Sequence, residues 1–306
     1  MKKKYEYDKE LRAYSHLHTP VVPALAPLTQ WLMKLLYVLQ WSGRHVRLKK
    51  RRVAVDGAKI RVLEYTPKAG SDGGCIIFFH GGGFIFEAAP HNFWLARRFA
   101  SELKCKTLFV DYRLAPLHRF PCAPFDCYAV YKWVLKNADE LNIDPRRIIL
   151  YGDSAGANLA AVVSMMARDE QIQLPCAQML MYPFVDRRLN TQSMSEFTDT
   201  PMCNTKDMYK YLKAYVHELD PKLLPYFSPM EASTLGGLPH AYIEVAEFDC
   251  LRDDGILYAQ RLRHEGVSAE LHLIKGAMHG YDIAAKSGIV KECESSRKKF
   301  ILKEWN

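Results

Sequence analysis

The chain has 306 residues, of which 49% are hydrophobic and 25% are charged. This composition is typical of a globular protein and excludes a disordered, collagen-like or coiled-coil chain. The formal net charge is +8, but no nucleic-acid-binding motif accompanies the basic runs at residues 2–4, 44–52 and 297–299. These runs are interpreted as solvated surface, and we predict no nucleic-acid partner.

The amino-terminal residues and the cysteines indicate the cellular compartment in which the protein is expected to reside. Charged residues and tyrosines occupy positions 5–10, where a signal peptide would have its apolar region. The eight cysteines are scattered and form no C-x-x-C pair, so they are interpreted as reduced core residues of a cytoplasmic protein. The apolar stretch 31–41 is shorter than the roughly 20 residues of a membrane helix, so we predict no integral membrane span. Binding of this stretch to a membrane surface is a secondary hypothesis.

Apolar runs of strand length alternate with segments of helix length from about residue 48 onward. The predicted strands are 52–55, 59–65, 75–79, 106–111, 148–152, 177–182, 240–246 and 268–274. The predicted helices are 92–103, 124–141, 155–168, 252–265 and 286–305. This alternation predicts the α/β class, with a mostly parallel central sheet, helices on both of its faces and an antiparallel lead-in.

Two segments interrupt the alternation. Residues 1–47 have helical character only, and residues 186–228 contain no clear strand. We expect residues 1–47 to form N-terminal cap helices and residues 186–228 to form a cap insertion, so that a helical cap covers the active site. The core then consists of residues 48–185 and 229–306.

The strongest local pattern is G-x-S-x-G at residues 152–156, between a predicted strand and a helix of small residues. The two glycines permit a sharp turn that presents Ser154 at the amino terminus of the helix. The free N–H groups and the helix dipole stabilise a developing oxyanion there. We therefore predict that Ser154 is a nucleophile.

A run of three glycines follows His80, directly after the apolar strand 75–79. The carboxyl ends of strands are where open α/β sheets bind ligands. We predict that the backbone N–H groups of Gly82 and Gly83, together with that of Ala155, form an oxyanion hole. His80 is interpreted as a residue that orders this loop rather than as a base.

A serine nucleophile requires a histidine base and a carboxylate that orients it. His279 lies in a glycine-containing loop after the last predicted strand, whereas His264 and His272 fall within a helix and a strand. Asp249 lies just beyond the preceding strand, and Glu247 is the weaker alternative. Asp249 and His279 complete the predicted triad.

The set and order of these motifs resemble the hormone-sensitive-lipase-like (bacterial family IV) branch of the α/β-hydrolases, in the subgroup with a GDSAG elbow. The resemblance covers about residues 50–300 and includes residues 80–84, 111–116, 120–123, 144–148, 152–156, 182–183 and 247–253. It implies an α/β-hydrolase fold and a serine carboxylesterase that hydrolyses short-chain esters through an acyl-enzyme. It also implies no cofactor or metal, and a cap built from the two interrupting segments.

The resemblance assigns the same catalytic roles to Ser154, Asp249 and His279, and the same donors to the oxyanion hole. The chain departs from the family pattern at Leu117, where a Glu is usual, and at Cys250, where a Pro is frequent. Neither departure removes a catalytic atom.

Other interpretations stay open. An amidase or deacetylase uses the same triad, and a non-catalytic small-molecule-binding protein can share the scaffold. Phe84, Phe86 and Tyr182 are expected to line an apolar substrate pocket, although each could equally pack in the core. An edge strand near the carboxyl terminus allows a homodimer.

Overall fold

The computed structural model describes residues 5–18, 20–37 and 43–306 of the chain. Within these ranges eight strands form a single sheet. The strands are β1 (Val46–Val55), β2 (Ala58–Pro67), β3 (Cys75–Phe79), β4 (Lys106–Asp111), β5 (Ile148–Asp153), β6 (Ala177–Met181), β7 (His240–Phe248) and β8 (Ala269–Met278).

The order of the strands across the sheet is β1-β2-β4-β3-β5-β6-β7-β8. β1 pairs with β2, and β2 with β4, in the antiparallel sense, whereas all later pairs are parallel. The prediction of a mostly parallel sheet with an antiparallel lead-in is therefore confirmed.

Helices cover the sheet on both faces. The α-helices are α1 (Ala26–Tyr37), α2 (Pro90–Glu102), α3 (Cys122–Lys136), α4 (Ala138–Leu141), α5 (Ala155–Asp169), α6 (Gln192–Glu196), α7 (Thr205–Tyr215), α8 (Arg252–His264) and α9 (Gly288–Trp305). Helices α3, α5 and α8 contribute to the hydrophobic cluster on one face, and α2 and α9 contribute to the cluster on the other.

Alternate residues of the central strands point to opposite faces of the sheet. In β3, Ile77 and Phe79 belong to the cluster beneath α3, α5 and α8, whereas Ile76 and Phe78 belong to the cluster beneath α2 and α9. All four side chains are fully buried. A strand covered on both faces needs apolar residues at every position, which is why this one reads as a continuous apolar run.

The amino-terminal segment is less helical than we expected. The expectation of cap helices throughout residues 1–47 is wrong in part, because the described residues hold one α-helix, α1, and two short 3₁₀ helices, Arg12–Tyr14 and Pro23–Leu25. The remaining described backbone of this segment is irregular up to β1. Residues 1–4, 19 and 38–42 lie outside the described residues.

The irregular stretch docks directly on the core instead of continuing as a helix. The Asp8 N–H donates a hydrogen bond to the carbonyl of Gly276 at 3.0 Å, and prolines at positions 20 and 23 prevent regular helical hydrogen bonding further along. β1 begins at Val46, so the core starts two residues earlier than the expected boundary at 48.

Residues 186–228 contain α6, α7 and a 3₁₀ helix, Pro221–Tyr226, and no strand. The aromatic rings of α7 pack toward the carboxyl ends of the strands, where the Tyr215 ring stacks on Phe84 at a centroid distance of 3.9 Å. No helix within the described ranges has the length and apolar character that a membrane crossing requires.

Candidate active site

Three side chains meet at the carboxyl ends of three parallel strands. Ser154 follows β5, Asp249 follows β7 and His279 follows β8. The Ser154 Oγ lies 2.8 Å from Nε2 of His279, and Nδ1 of the same ring lies 2.7 Å from Oδ2 of Asp249. The structure thus brings together the three residues that the sequence predicts as a triad, although they are up to 125 positions apart.

The turn that carries Ser154 has a strained backbone. Ser154 has φ +54° and ψ −115°, and it is the N-cap of α5. A side chain at Gly152 would overlap the carbonyl of Gly156, and one at Gly156 would overlap the carbonyl of Phe79. The strand and the helix therefore approach each other as closely as only glycine allows, and this aims the serine hydroxyl away from the sheet.

The electrostatics of the histidine are set by burial and by one carboxylate. Burial by itself lowers the pKa of His279, but the adjacent Asp249 carboxylate outweighs burial, and the pKa of His279 is raised to about 9. Asp249 is fully buried, and its Oδ1 accepts the N–H of Leu251 at 2.9 Å. The carboxylate is thus held in place by the chain and favours the imidazolium that forms when the ring takes a proton.

Three residues whose backbone N–H groups lack an acceptor in the described part of the chain border the same cavity as the serine. Gly82, Gly83 and Ala155 all line this cavity. Among the described residues, no acceptor is found for the N–H groups of these three. Free donors around a nucleophile are what a negatively charged tetrahedral intermediate requires.

Neighbouring residues lie very close to the backbone of the glycine run. Gly82 and Gly83 have φ +112° and +60°, a region that glycine tolerates best. A side chain at Gly83 would overlap the ring of Tyr211 on α7. His80 orders the start of the run as expected, because its Nδ1 lies 2.7 Å from the carbonyl of Gly81 and its ring is fully buried.

Sequence reasoning did not single out the anchor of this loop, Asp153. Its Oδ1 accepts the N–H of Gly81 at 3.1 Å and the side-chain amide of Asn92 at 3.1 Å. Burial, with a contribution from Asp282, raises the pKa of Asp153 to about 7. Asp153 joins the elbow to the glycine run, so Ser154 and the backbone of the glycine run are positioned together. The signal in the sequence is the second residue of the elbow itself.

A buried arginine connects two strands of the sheet and the loop that follows β8. Arg297 on α9 is fully buried, and its guanidinium pairs with Glu244 on β7 at 2.5 Å and with Asp282 at 3.0 Å. It also donates to the hydroxyl of Tyr151 on β5 at 3.2 Å. The network therefore connects the strand before Ser154, the strand before the acid and the loop after the histidine. No pattern in the sequence signals it.

Tyr182 supports the histidine ring. Its ring lies edge-on to that of His279 with centroids 4.8 Å apart. Its hydroxyl donates to Oδ2 of Asp282 at 3.0 Å, and only 1% of the residue is exposed. Tyr182 lines the cavity, but its described contacts are chiefly with His279 and Asp282.

The cavity beside Ser154 has a volume of about 410 Å³ and a largely apolar lining. Phe84 and Phe86 both line it, as expected. Phe84 is 2% exposed and stacked on Tyr215, so it mainly supports the wall. Phe86 lies edge-on to Tyr211 and is only partly buried.

Several lining residues come from the cap and were not identified from the sequence. Helix α7 contributes Met208, Tyr211 and Leu212, a spacing of three and four residues that predicts an amphipathic helix face. Helix α1 contributes Thr29, Gln30 and Met33. Two separate parts of the chain therefore contribute to the wall of this cavity.

The cavity wall also holds a buried carboxylate. Burial, with a contribution from Asp111, raises the pKa of Glu87 to about 7, and Lys34 of α1 lies 3.1 Å from its Oε1. Within the described residues no group of three or more His, Cys, Asp or Glu side chains is arranged to hold a metal ion.

Comparison with known proteins identifies the family. A family model described as the alpha/beta hydrolase fold matches residues 76–283. The carboxylesterase NlhH of Mycobacterium tuberculosis is 37% identical over 241 residues, which make up 77% of this chain and 76% of that protein. An arylesterase of Saccharolobus solfataricus is 33% identical over 231 residues, or 75% of each chain.

Solved structures agree with these relatives. A bacterial heroin esterase superposes with a TM-score of 0.89 at 32% identity and covers 98% of both chains. A hyperthermophilic esterase of Pyrobaculum calidifontis has a TM-score of 0.83 at 32% identity and covers 95% of both chains. The resemblance predicted from the motifs is confirmed, and the chain is a hydrolase that belongs to the α/β-hydrolase family.

Proposed function

We propose that this hydrolase is a serine carboxylesterase that cleaves short-chain carboxylic esters through an acyl-enzyme intermediate. The observation that carries the proposal is the continuous line of contacts from Ser154 Oγ through the His279 ring to the buried Asp249 carboxylate, at 2.8 and 2.7 Å. Esterase relatives that align over three quarters of the chain support the same reaction class.

In the acylation step Ser154 Oγ attacks the ester carbonyl while Nε2 of His279 takes the hydroxyl proton. The carbonyl oxygen becomes an oxyanion, which the N–H groups of Gly82, Gly83 and Ala155 stabilise. Asp249 keeps the proton on Nδ1, so that Nε2 is the nitrogen free to act as the base.

The tetrahedral intermediate collapses when Nε2 of His279 returns its proton to the leaving alcohol. Water then enters, loses a proton to the same nitrogen and attacks the acyl carbonyl. The second intermediate collapses to the carboxylic acid, and the proton returns to Ser154 Oγ. The cycle is balanced without a metal or an organic cofactor.

A preference for short chains is supported by the enclosed site. The cavity of about 410 Å³ lies at the lower end of the range for small-molecule sites, about 300–1,000 Å³. Its outer wall consists of Tyr211 and Leu212 of α7 and Met33 of α1. We propose that residues 1–47 and 186–228 act as the two parts of the cap that limits substrate length.

We also propose a reducing, cytoplasmic location and pairing of two chains through β8. All eight cysteines are free, and the thiols of Cys203 and Cys250 remain unpaired although their sulfurs are 3.9 Å apart. Disulfides form in oxidising compartments and are rare in the cytosol. β8 is an edge of the sheet and presents a half-exposed Leu273, which a second β8 would cover.

The test is hydrolysis of p-nitrophenyl esters, from acetate to palmitate, by the wild type and by Ser154→Ala. The matched control is Ser195→Ala, an exposed serine of the cap insertion. We expect the greatest wild-type activity on the short esters, a loss of at least about 10³-fold in Ser154→Ala, and no loss in the control.

Three outcomes would contradict the proposal in different ways. Full activity of Ser154→Ala would exclude this serine as the nucleophile. Cleavage of p-nitroacetanilide with higher kcat/KM than the matching ester would identify an amidase. If neither the wild type nor Ser154→Ala hydrolyses any substrate but both still bind esters, the result would favour a non-catalytic binding protein.

A further inference from the structure

Helix α1 presents its apolar face to solvent. Leu28, Trp31 and Leu32 are spaced three and four positions apart, so they lie on one face of the helix. They are 56%, 58% and 48% exposed. Leu25, immediately before the helix, continues this outer apolar face and is 54% exposed. A surface helix in a globular protein normally turns such a face toward the core.

The opposite face of α1 attaches the helix to the core through a polar residue. Gln30 is buried, and its side-chain amide donates to the carbonyl of Ile85 at 2.7 Å and to that of Ala115 at 2.8 Å. Thr29 and Met33 line the cavity beside Ser154. Because these contacts fix the inner side of α1, the outer apolar face is available to another surface.

The net charge of the chain is concentrated around this helix. Residues 11–55 contain eight of the 42 basic residues and none of the 34 acidic ones. The 34 basic residues elsewhere are therefore matched by the 34 acidic residues. The whole formal charge of +8 belongs to a segment of 45 positions that includes α1 and β1.

Most of these basic side chains lie on β1 and just before it, and they project into solvent. The exposed ones are Arg44, Arg47, Lys49, Lys50 and Arg52. In the part of the chain that the structure describes, none of the five has an acidic partner within ion-pair distance. Residues 38–43 separate α1 from Arg44, and the seven Cα–Cα steps between Tyr37 and Arg44 span no more than about 25 Å. The start of the basic group therefore lies within about 25 Å of the carboxyl-terminal end of α1.

We infer that the outer face of α1 and the basic group of β1 together bind the surface of an anionic phospholipid membrane. Leucine and tryptophan side chains on one helix face, beside several lysines and arginines, are the combination that holds a helix in the plane of a lipid interface. The side chains of α1 enter the headgroup region, and the basic residues contact the lipid phosphates. Since Met33 of the same helix lines the cavity, membrane binding brings the cavity next to the bilayer.

The test is co-sedimentation of the full chain with vesicles of phosphatidylglycerol mixed with phosphatidylcholine, and with vesicles of phosphatidylcholine alone. We expect binding to the mixed vesicles at an ionic strength of about 0.1 M, at least tenfold weaker binding to the neutral ones, and release at about 1 M salt. The measurement does not depend on esterase activity.

Two variants separate the contributions. The apolar variant is Leu28→Ser, Trp31→Ser, Leu32→Ser, and it is expected to bind the mixed vesicles at least tenfold more weakly because it loses the apolar area that enters the interface. The charge variant is Arg47→Gln, Lys49→Gln, Lys50→Gln, Arg52→Gln, because successive residues of β1 point to opposite faces of the strand. It loses two basic residues on either face, and since each contributes about fivefold, it is also expected to bind at least tenfold more weakly.

The matched control is Leu257→Ser with Leu302→Ser, which changes exposed leucines of α8 and α9 and is expected to bind like the wild type. Circular dichroism before sedimentation identifies any variant that has failed to fold.

Three results would overturn the inference. The first is no sedimentation with mixed vesicles at low salt. The second is equal binding to neutral and anionic vesicles with no effect of salt. The third is a concentration-dependent dimer that the apolar variant abolishes while neither vesicle binds, since the outer face of α1 would then be a subunit interface.

Discussion

Replacement of the buried Arg297 by methionine tests whether the network behind the strand ends holds the active site together. Methionine occupies the space of the aliphatic part of the arginine side chain but carries no charge, so it leaves Glu244 and Asp282 without their partner. Removing one member of a buried ion pair costs about 3–5 kcal/mol. Because about 1 kcal/mol shifts the Tm of a chain of this size by roughly 2–4 °C, we expect Arg297→Met to melt about 6–20 °C below the wild type.

The effect depends on pH in a defined direction. Burial by itself raises the pKa of Glu244, but Arg297 outweighs it and holds this pKa below the ordinary value in the folded chain. Without Arg297, burial makes the Glu244 carboxylate take up a proton, so the folded-state pKa of Glu244 rises above the unfolded value of about 4.3. At pH values above that unfolded-state pKa, the ionised Glu244 stabilises the folded wild type through Arg297 and destabilises the folded variant, in which it has no partner. The difference in Tm is therefore greatest near pH 8 and narrows as the pH falls toward about 4.3.

The assay is differential scanning calorimetry of the two proteins between about pH 5 and pH 8, with kcat on a short ester measured in parallel. Arg146→Met is the matched control, because Arg146 also pairs with an aspartate at 2.9 Å but is 82% exposed. We expect its Tm to stay within about 2 °C of the wild type. The reasoning would be refuted if the Tm of Arg297→Met stayed within about 2 °C of the wild type. It would also be refuted if the difference in Tm between the two proteins were the same at about pH 5 and about pH 8.

Three further predictions concern the site itself. Because the pKa of His279 is raised to about 9 and the base acts only when neutral, kcat/KM should increase with pH up to that region. Asp249→Asn should shift this increase to lower pH and reduce kcat by about 10⁴-fold. A wild-type kcat/KM that does not change with pH would contradict this prediction. Gly83→Ala should lose activity at least tenfold by crowding a cap tyrosine, whereas Gly57→Ala, with similar φ and open space, should not. Tyr182→Phe should lower kcat severalfold and leave KM unchanged, because the ring remains but its hydrogen bond is lost; equal kcat in the two proteins would argue against the support role.

The elements that the sequence predicts best are those in which the burial of each position determines its residue type. Every predicted strand is present, because apolar residues at successive or alternate positions are needed to bury a strand whatever else the chain does. The amino-terminal segment is the exception. Its apolar residues predict helix throughout, but prolines and contacts such as that of Asp8 with Gly276 decide otherwise. Those contacts depend on a core formed by residues far away in the chain.

The residues of the site also divide into those that the sequence reveals and those that only the structure reveals. Ser154 and the glycine run are recognisable because the tight turn and the bare backbone impose a local pattern on the residues. Asp249 and His279 follow from their positions after strands. The anchor Asp153, which joins the elbow to the glycine run, has no pattern beyond its place in the elbow. Its role exists only because the sheet brings two strand ends to hydrogen-bonding distance.

The sequence by itself determined the α/β fold, the family and the order of the catalytic motifs, because each depends on local periodicity or on a turn that few residues can form. Only the tertiary structure decided that α1 and α7 both line the cavity, that Arg297 joins two strands and a loop, and that α1 turns its apolar face outward. These features arise from contacts between residues that are distant in the chain. Such contacts leave no repeating pattern, because a buried arginine or an exposed tryptophan is defined by its neighbours in space.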